Sequence, residues 1–167
     1  EPWCLFVGLV APHFPLVVAE KYLSLYPHDA LPPRKLHPRD GHKRHPWIQR
    51  HHDFWPTEDQ FRDEEERLTA MSAYLGLVTW MDHNVGRILS QLEKCGLSGS
   101  TRVLYTSDHG EAAGDHGIFG KAINYEHSIN VPLLMAGPDI SEGKTVDQIV
   151  SHVDLYPTII DSVGAKL

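Results

Sequence analysis

The sequence predicts an α/β fold with one hydrophobic core, and three observations carry the prediction. Apolar runs of strand length recur at "WCLFVGLV" (3 to 10), "TRVLYTSD" (101 to 108) and "VPLLMAG" (131 to 137). Between the first two lies a stretch whose apolar residues return every three or four positions, the period of a helix. Strands alternating with helices form a sheet covered by helices, and such sheets take ligands beyond the carboxyl ends of their strands.

Bulk properties narrow the function classes. At 167 residues the chain is long enough for one domain with a real core, and its 41% hydrophobic and 22% charged residues are those of an ordinary globular protein. A formal charge of -7 argues against duplex nucleic acid as a partner, which calls for a basic face. The longest apolar run, "CLFVGLVAP", is strand-sized and falls well short of the roughly 18 to 20 residues of a membrane span. The two cysteines, Cys4 and Cys95, make neither a disulfide framework nor a zinc pattern and read as isolated thiols. Because the chain opens at Glu1 without methionine and enters a strand pattern at once, it reads as a piece of something longer. No signal peptide is visible, and the sequence assigns no compartment.

Taken in order, residues 3 to 10 form a continuous apolar run that ends in "APHFP", the pattern of a strand buried on both faces of a parallel sheet. From 27 to 56 the composition turns to proline, histidine and arginine without periodicity, predicting a long surface loop. Thr57, followed by Glu58 and Asp59, has the character of a helix N-cap. Leu68, Met71, Leu75, Val78, Met81, Val85, Ile88, Leu89 and Leu92 then define one amphipathic helix over 63 to 94, stopped by Gly96. After the strands at 101 to 108 and 131 to 137, "VDQIVSHVDLYPTIIDSVG" predicts a strand near 146 to 151 and a short helix opened by Asp154 or Pro157.

The chemistry gathers where the second strand ends. "SDHGEAAGDHGIFGK" (107 to 121) holds two Asp-His-Gly triplets and one lysine. At a turning strand end the carboxylate of Asp108 and the imidazole of His109 can face one cation, although Asp-His-Gly is also ordinary turn chemistry. Lys121 sits at the far end of the same glycine-bearing loop, where an ammonium can neutralise the oxygens of a tetrahedral anion. His13, at the end of the first run, is placed to hydrogen-bond substrate oxygen or protonate a leaving group, or else to serve as a loop histidine.

"VLYTSDHGEAAGDHGIFGKAINYEHSINVPLLMAGP" followed by "VSHVDLYPTIID" resembles the sulfatase family of the alkaline-phosphatase-like superfamily, and "FVGLVAPHFP" resembles its upstream histidine motif. The flavour is that of choline sulfatases and phosphonate monoester hydrolases. The resemblance implies a three-layer alkaline-phosphatase-like sheet with flanking helices, present as a fragment, so that residues 1 to 167 form part of a catalytic domain. It implies that Asp108 and His109 bind a divalent cation, calcium first and manganese as the alternative. It further implies that Lys121 contacts the sulfate group, that His13 contacts substrate near the leaving group, and that the substrate is a small-molecule or carbohydrate sulfate ester. Asp115 and His116 repeat the triplet but match no ligand position, and read as loop residues.

The family's nucleophile is a formylglycine made from the Cys or Ser of a C/S-x-P-x-R motif. Cys4 is followed by "LFVG" and Cys95 by "GLSG", so neither fits. The family's N-terminal acidic pair and an upstream lysine are likewise missing. The expected partner is therefore the remainder of a parent chain, and the isolated 167 residues are expected to have no turnover. Three other readings stand beside this one. The first keeps the enzyme but makes the substrate a phosphonate or phosphate ester, a tetrahedral oxyanion that Asp108, His109 and Lys121 would serve equally. His37, His42, His45, His51 and His52, interleaved with basic residues, can form a transition-metal or polyanion patch. A fold that keeps half a site can also serve as a binding scaffold without catalysis.

Overall fold

The computed structural model describes residues 3–36 and 43–165. Its backbone is one long helix, α3 (Glu64–Lys94), with short elements gathered around it. Asp63 caps α3 by accepting the N–H of Glu66 at 2.8 Å, and Glu64, Glu65 and Glu66 place negative charge at the positive end of the helix dipole. At the other end Gly96, at φ 69°, donates to the Glu93 carbonyl while Leu97 donates to that of Leu92. This pair of bonds is a Schellman stop.

Small residues make the closest contact of α3. Ser72, Ala73, Gly76 and Leu77 are buried where α1 (Glu20–Leu23) crosses, and a Cβ on Gly76 would lie 3.1 Å from the Tyr22 carbonyl oxygen. Ser72 donates its hydroxyl to the Tyr26 carbonyl at 2.6 Å. The wider stripe predicted from periodicity lies beside this contact, half-buried through Val85, with Ile88 and Leu89 exposed. A hydropathy pattern marks large apolar residues and so passes over a contact made by Ser, Ala and Gly.

The sheet differs from the expectation. β1 (Val103–Thr106) pairs with β2 (Leu133–Ala136) in antiparallel register, Val103 opposite Ala136 and Thr106 opposite Leu133. Among the described residues these two strands are the whole sheet. The run 3 to 10 and the segment 146 to 151 form no strand, and they leave Phe6 90% and Ile149 101% exposed. A strand exists only where a neighbour takes its backbone bonds, and no described segment does so for these two. A one-turn helix, α4 (Glu126–Ile129), precedes β2. Arg102 fastens the strand pair to α5 (Leu155–Ser162) through the Ser162 carbonyl at 3.0 Å and also reaches the Asp139 carboxylate, just past β2, at 3.2 Å. α5 begins after Asp154, whose carboxylate accepts the Ser151 N–H.

Two further expectations are corrected. The stretch 27 to 56 contains a helical turn at His28–Ala30 and a real helix, α2 (Pro46–Phe54); within it, residues 37–42, with His37 and His42, lie outside the described residues. Nδ1 of His45 caps α2 and Pro46 opens it, but its single buried residue, Ile48, is too few to write a period into the sequence. Thr57 stands at an N-cap position, but of a single 3-10 turn, Glu58–Gln60, and without a capping bond from its side chain. Its hydroxyl accepts the N–H of Phe119 instead.

Candidate active site

Asp108 and His109 follow directly on β1, and their backbone bonds explain how the pair is held. The Asp108 carboxylate accepts the His109 N–H at 3.0 Å and the Ser107 hydroxyl at 3.4 Å. His109 Nδ1 lies 2.8 Å from the Gly110 carbonyl, which can only accept, so Nδ1 carries the proton and Nε2 presents its lone pair. That Nε2 is 3.5 Å from Asp108 Oδ2. Ligands each about 2.3 to 2.6 Å from a calcium ion stand roughly 3.3 to 3.7 Å apart when they subtend a right angle, so these two atoms fit neighbouring positions on one cation. Partial desolvation pushes the Asp108 carboxyl up, but the His109 ring in its protonated form, the backbone N–H groups of residues 108 and 109 and the Ser107 hydroxyl outweigh it and hold the carboxyl below the usual range; a cation at this place would take over the role of that ring charge. Among the described residues no cluster of three or more His, Cys, Asp or Glu forms.

The pair opens on a cleft of about 330 Å³ that Asn124, Ser128 and His152 also line. His152 reaches across from the start of the turn before α5, its Nε2 2.7 Å from the Ser107 carbonyl. Sequence reading passed over it, although "SHVDL" placed a histidine within a motif. Gly110 is required by close approach: a Cβ there would lie 2.0 Å from the His127 carbonyl oxygen, and its N–H donates to the Ser128 carbonyl at 2.9 Å.

Beyond Gly110 the chain makes a closed loop. Ala112, Ile118 and Ile123 are buried together with Ile48 of α2, and this small core sets the floor of the loop. Asp115 and His116 belong to the loop wall: Asp115 accepts the Lys35 N–H at 2.7 Å, and the His116 ring stacks on His127 at 5.3 Å. Of the histidine patch, His45 caps α2, and His51 and His52 are half-buried on it.

Lys121 and His13 meet through Phe14. The Lys121 ammonium lies 5.4 Å from the Phe14 ring centre, and the His13 ring lies 4.2 Å from it. Neither residue lines the cleft itself, but Lys121 adjoins Ala122, which does. Of the four predicted residues, Asp108 and His109 are brought together, while Lys121 and His13 each lie beside Phe14. No described helix is long and apolar enough to cross a membrane.

Comparison with known proteins identifies the family. The Sulfatase family model matches residues 1–165. A choline-sulfatase of Rhizobium meliloti is 31% identical over 173 residues, covering 100% of this chain and 32% of its own length. The solved phosphonate monoester hydrolase SpPMH of Silicibacter pomeroyi superposes with a TM-score of 0.82 at 32% identity, over 93% of this chain and 32% of that one. A protein solved in complex with its substrate D-glucosamine-2-N,6-O-disulfate superposes at 0.60, with 32% identity over 72% of this chain and 25% of its own. The chain spans about a third of the length of the curated relatives it matches. Its antiparallel strand pair and helices are thus a portion of the alkaline-phosphatase-like fold, and the chain belongs to the sulfatase family.

Proposed function

We propose that this chain supplies part of the active site of a divalent-metal-dependent hydrolase of sulfate esters, small-molecule or carbohydrate. The observation that carries the reading is the 3.5 Å spacing of Asp108 Oδ2 and His109 Nε2 at the end of β1, with the imidazole oriented by the Gly110 carbonyl. The carboxylate favours calcium, and the imidazole keeps manganese as the alternative. When bound, the cation would supply positive charge that polarises an anionic oxygen. Lys121 would bind the sulfate oxygens as a point charge, and His13 would hydrogen-bond the departing alcohol oxygen or give it a proton.

The nucleophile, a formylglycine hydrate, would come from residues beyond these 167, since Cys4 and Cys95 are free, exposed thiols outside any C/S-x-P-x-R pattern. The remainder of the parent chain is therefore the principal partner. The neighbour bound to a sulfated glucosamine supports a carbohydrate substrate. A second reading, hydrolysis of a phosphonate or phosphate ester, rests on the 0.82 TM-score to a phosphonate monoester hydrolase.

The test uses the complete natural protein, stripped by chelator and reloaded with calcium or manganese, on p-nitrophenyl sulfate and p-nitrophenyl phenylphosphonate, with mass spectrometry of the nucleophile peptide. Faster turnover of the sulfate and a formylglycine mass are expected. Preference for the phosphonate would favour the second reading, and a complete protein with neither turnover nor modification would be a binding scaffold.

A further inference from the structure

Glu111 stands directly after the Asp108–His109–Gly110 turn, and Lys121 stands at the other end of the loop that Glu111 begins. One carboxylate oxygen of Glu111 accepts the Ala113 N–H at 3.0 Å and, across the neck of the loop, the N–H of Gly120. Beside it, Ala112 donates its N–H to the Gly120 carbonyl at 2.8 Å. Both backbone polar groups of Gly120 are thus taken by residues 111 and 112. Lys121 leaves from that fixed point.

The rest of the loop gives this bond weight. Ala113 and His116 have φ of 49° and 59°, and Ala122, just past the lysine, has 71°, a region that residues with a Cβ adopt only when their surroundings impose it. The core of Ala112, Ile118, Ile123 and Ile48 holds the floor, while Glu111 is the side chain that closes the neck. The carboxylate also faces α3, where burial first and the Glu111 charge second push the Tyr74 phenol up to about 12.

We propose that Glu111 is a positioning residue that sets where Lys121 stands relative to Asp108 and His109, by clasping Gly120 to the base of the loop. The inference rests on the assignment of Lys121 as the lysine that binds the anion. Glu111 itself need not touch substrate. Its part is to convert a mobile lysine at a loop end into a preorganised charge.

The experiment is a double-mutant cycle on the complete enzyme with p-nitrophenyl sulfate. Glu111→Ala is expected to lower kcat/KM by about 10²-fold, the scale of a misplacement near 1 Å. Glu111→Gln, whose amide oxygen accepts the same two N–H groups, is expected to restore most of that loss. In a Lys121→Ala background Glu111→Ala is expected to add little, because the two residues act through one contact. Losses that multiply instead, or a Gln variant as impaired as the Ala variant, would overturn the proposal. Should Glu111→Ala fail to fold, hydrogen exchange of the wild-type Gly120 amide decides: strong protection is expected, and free-loop exchange overturns the clasp. If Lys121→Ala retains full activity, the assignment of Lys121 fails instead, a result read independently of Glu111.

Discussion

Residues 107–125 and the two apolar runs at 3 to 10 and 146 to 151 contrast in how they are completed. The first segment closes on itself: Glu111 and Ala112 bind Gly120, Gly114 binds the Ile118 carbonyl, and Ile118 and Ile123 are each 2% exposed. The second pair carries its own apolar side chains but leaves Phe6 90% and Ile149 101% exposed and makes no strand. Turns and short loops are built from bonds within a few residues, whereas a strand is made by its neighbours. One half of the contrast, the turn and its loop, is therefore fully formed within the chain, and the other, the pair of apolar runs, is uncovered.

The largest expected effect probes the formed half. Asp108→Ala in the complete enzyme should lower kcat by about 10³-fold, the scale of removing one preorganised electrostatic stabiliser, while circular dichroism stays unchanged because the Asp108 side chain is 84% exposed. Activity within a few-fold of wild type would show that the turn is only a turn. Next comes the uncovered half. If the remainder of the parent chain buries residue 6, Phe6→Ala should cost the complete protein about 3 to 5 kcal/mol in urea unfolding. A cost below about 0.5 kcal/mol, the scale of a surface change, would make residues 3 to 10 true surface and dissolve the contrast.

Gly110→Ala asks whether the two halves of the loop region depend on one another. The added Cβ would meet the His127 carbonyl oxygen at 2.0 Å, so β1's end and the 127–128 backbone must part and the Gly110–Ser128 bond is lost. A loss of about 1 to 3 kcal/mol is expected, the usual cost of overpacking. An unchanged midpoint in urea would mean that the close approach is easily relaxed and the site less rigid than its bonds indicate.

What was legible in the sequence follows the same division. The long helix was, because Asp63, three glutamates, a helical period and Gly96 all lie within it. So was the juxtaposition of Asp108 and His109 after β1, which needs only the turn that Gly110 completes. The buried strand at 3 to 10 and the strand near 146 to 151 were misread, since apolar content says that a segment wants cover and not that its cover is present. α2 escaped notice because its anchor is Ile48 alone, and the Glu111 clasp because a hydrogen bond from residue 111 to residue 120 exists only after the loop has closed.

The smallest expected effect is a pH dependence confined to the loop wall. Burial holds the His127 imidazole below its ordinary 6.5; Asp115 and Glu111 oppose the shift and Lys35 adds to it. Below about pH 6.5 the unfolded chain therefore binds a proton that folded His127 resists, so this contribution is fully present above that pH and is lost as pH falls toward the folded value. Measured between about pH 7.5 and 5.5, the melting temperature of His127→Gln should fall less than that of the wild type, whose loop wall must admit a charge beside the His116 ring. Phe6→Ala, which lies far along the chain from the loop wall, should fall in parallel with the wild type. Parallel curves for all three would place the acid sensitivity outside residues 107–125 and leave the loop closed by its backbone and carboxylate bonds alone.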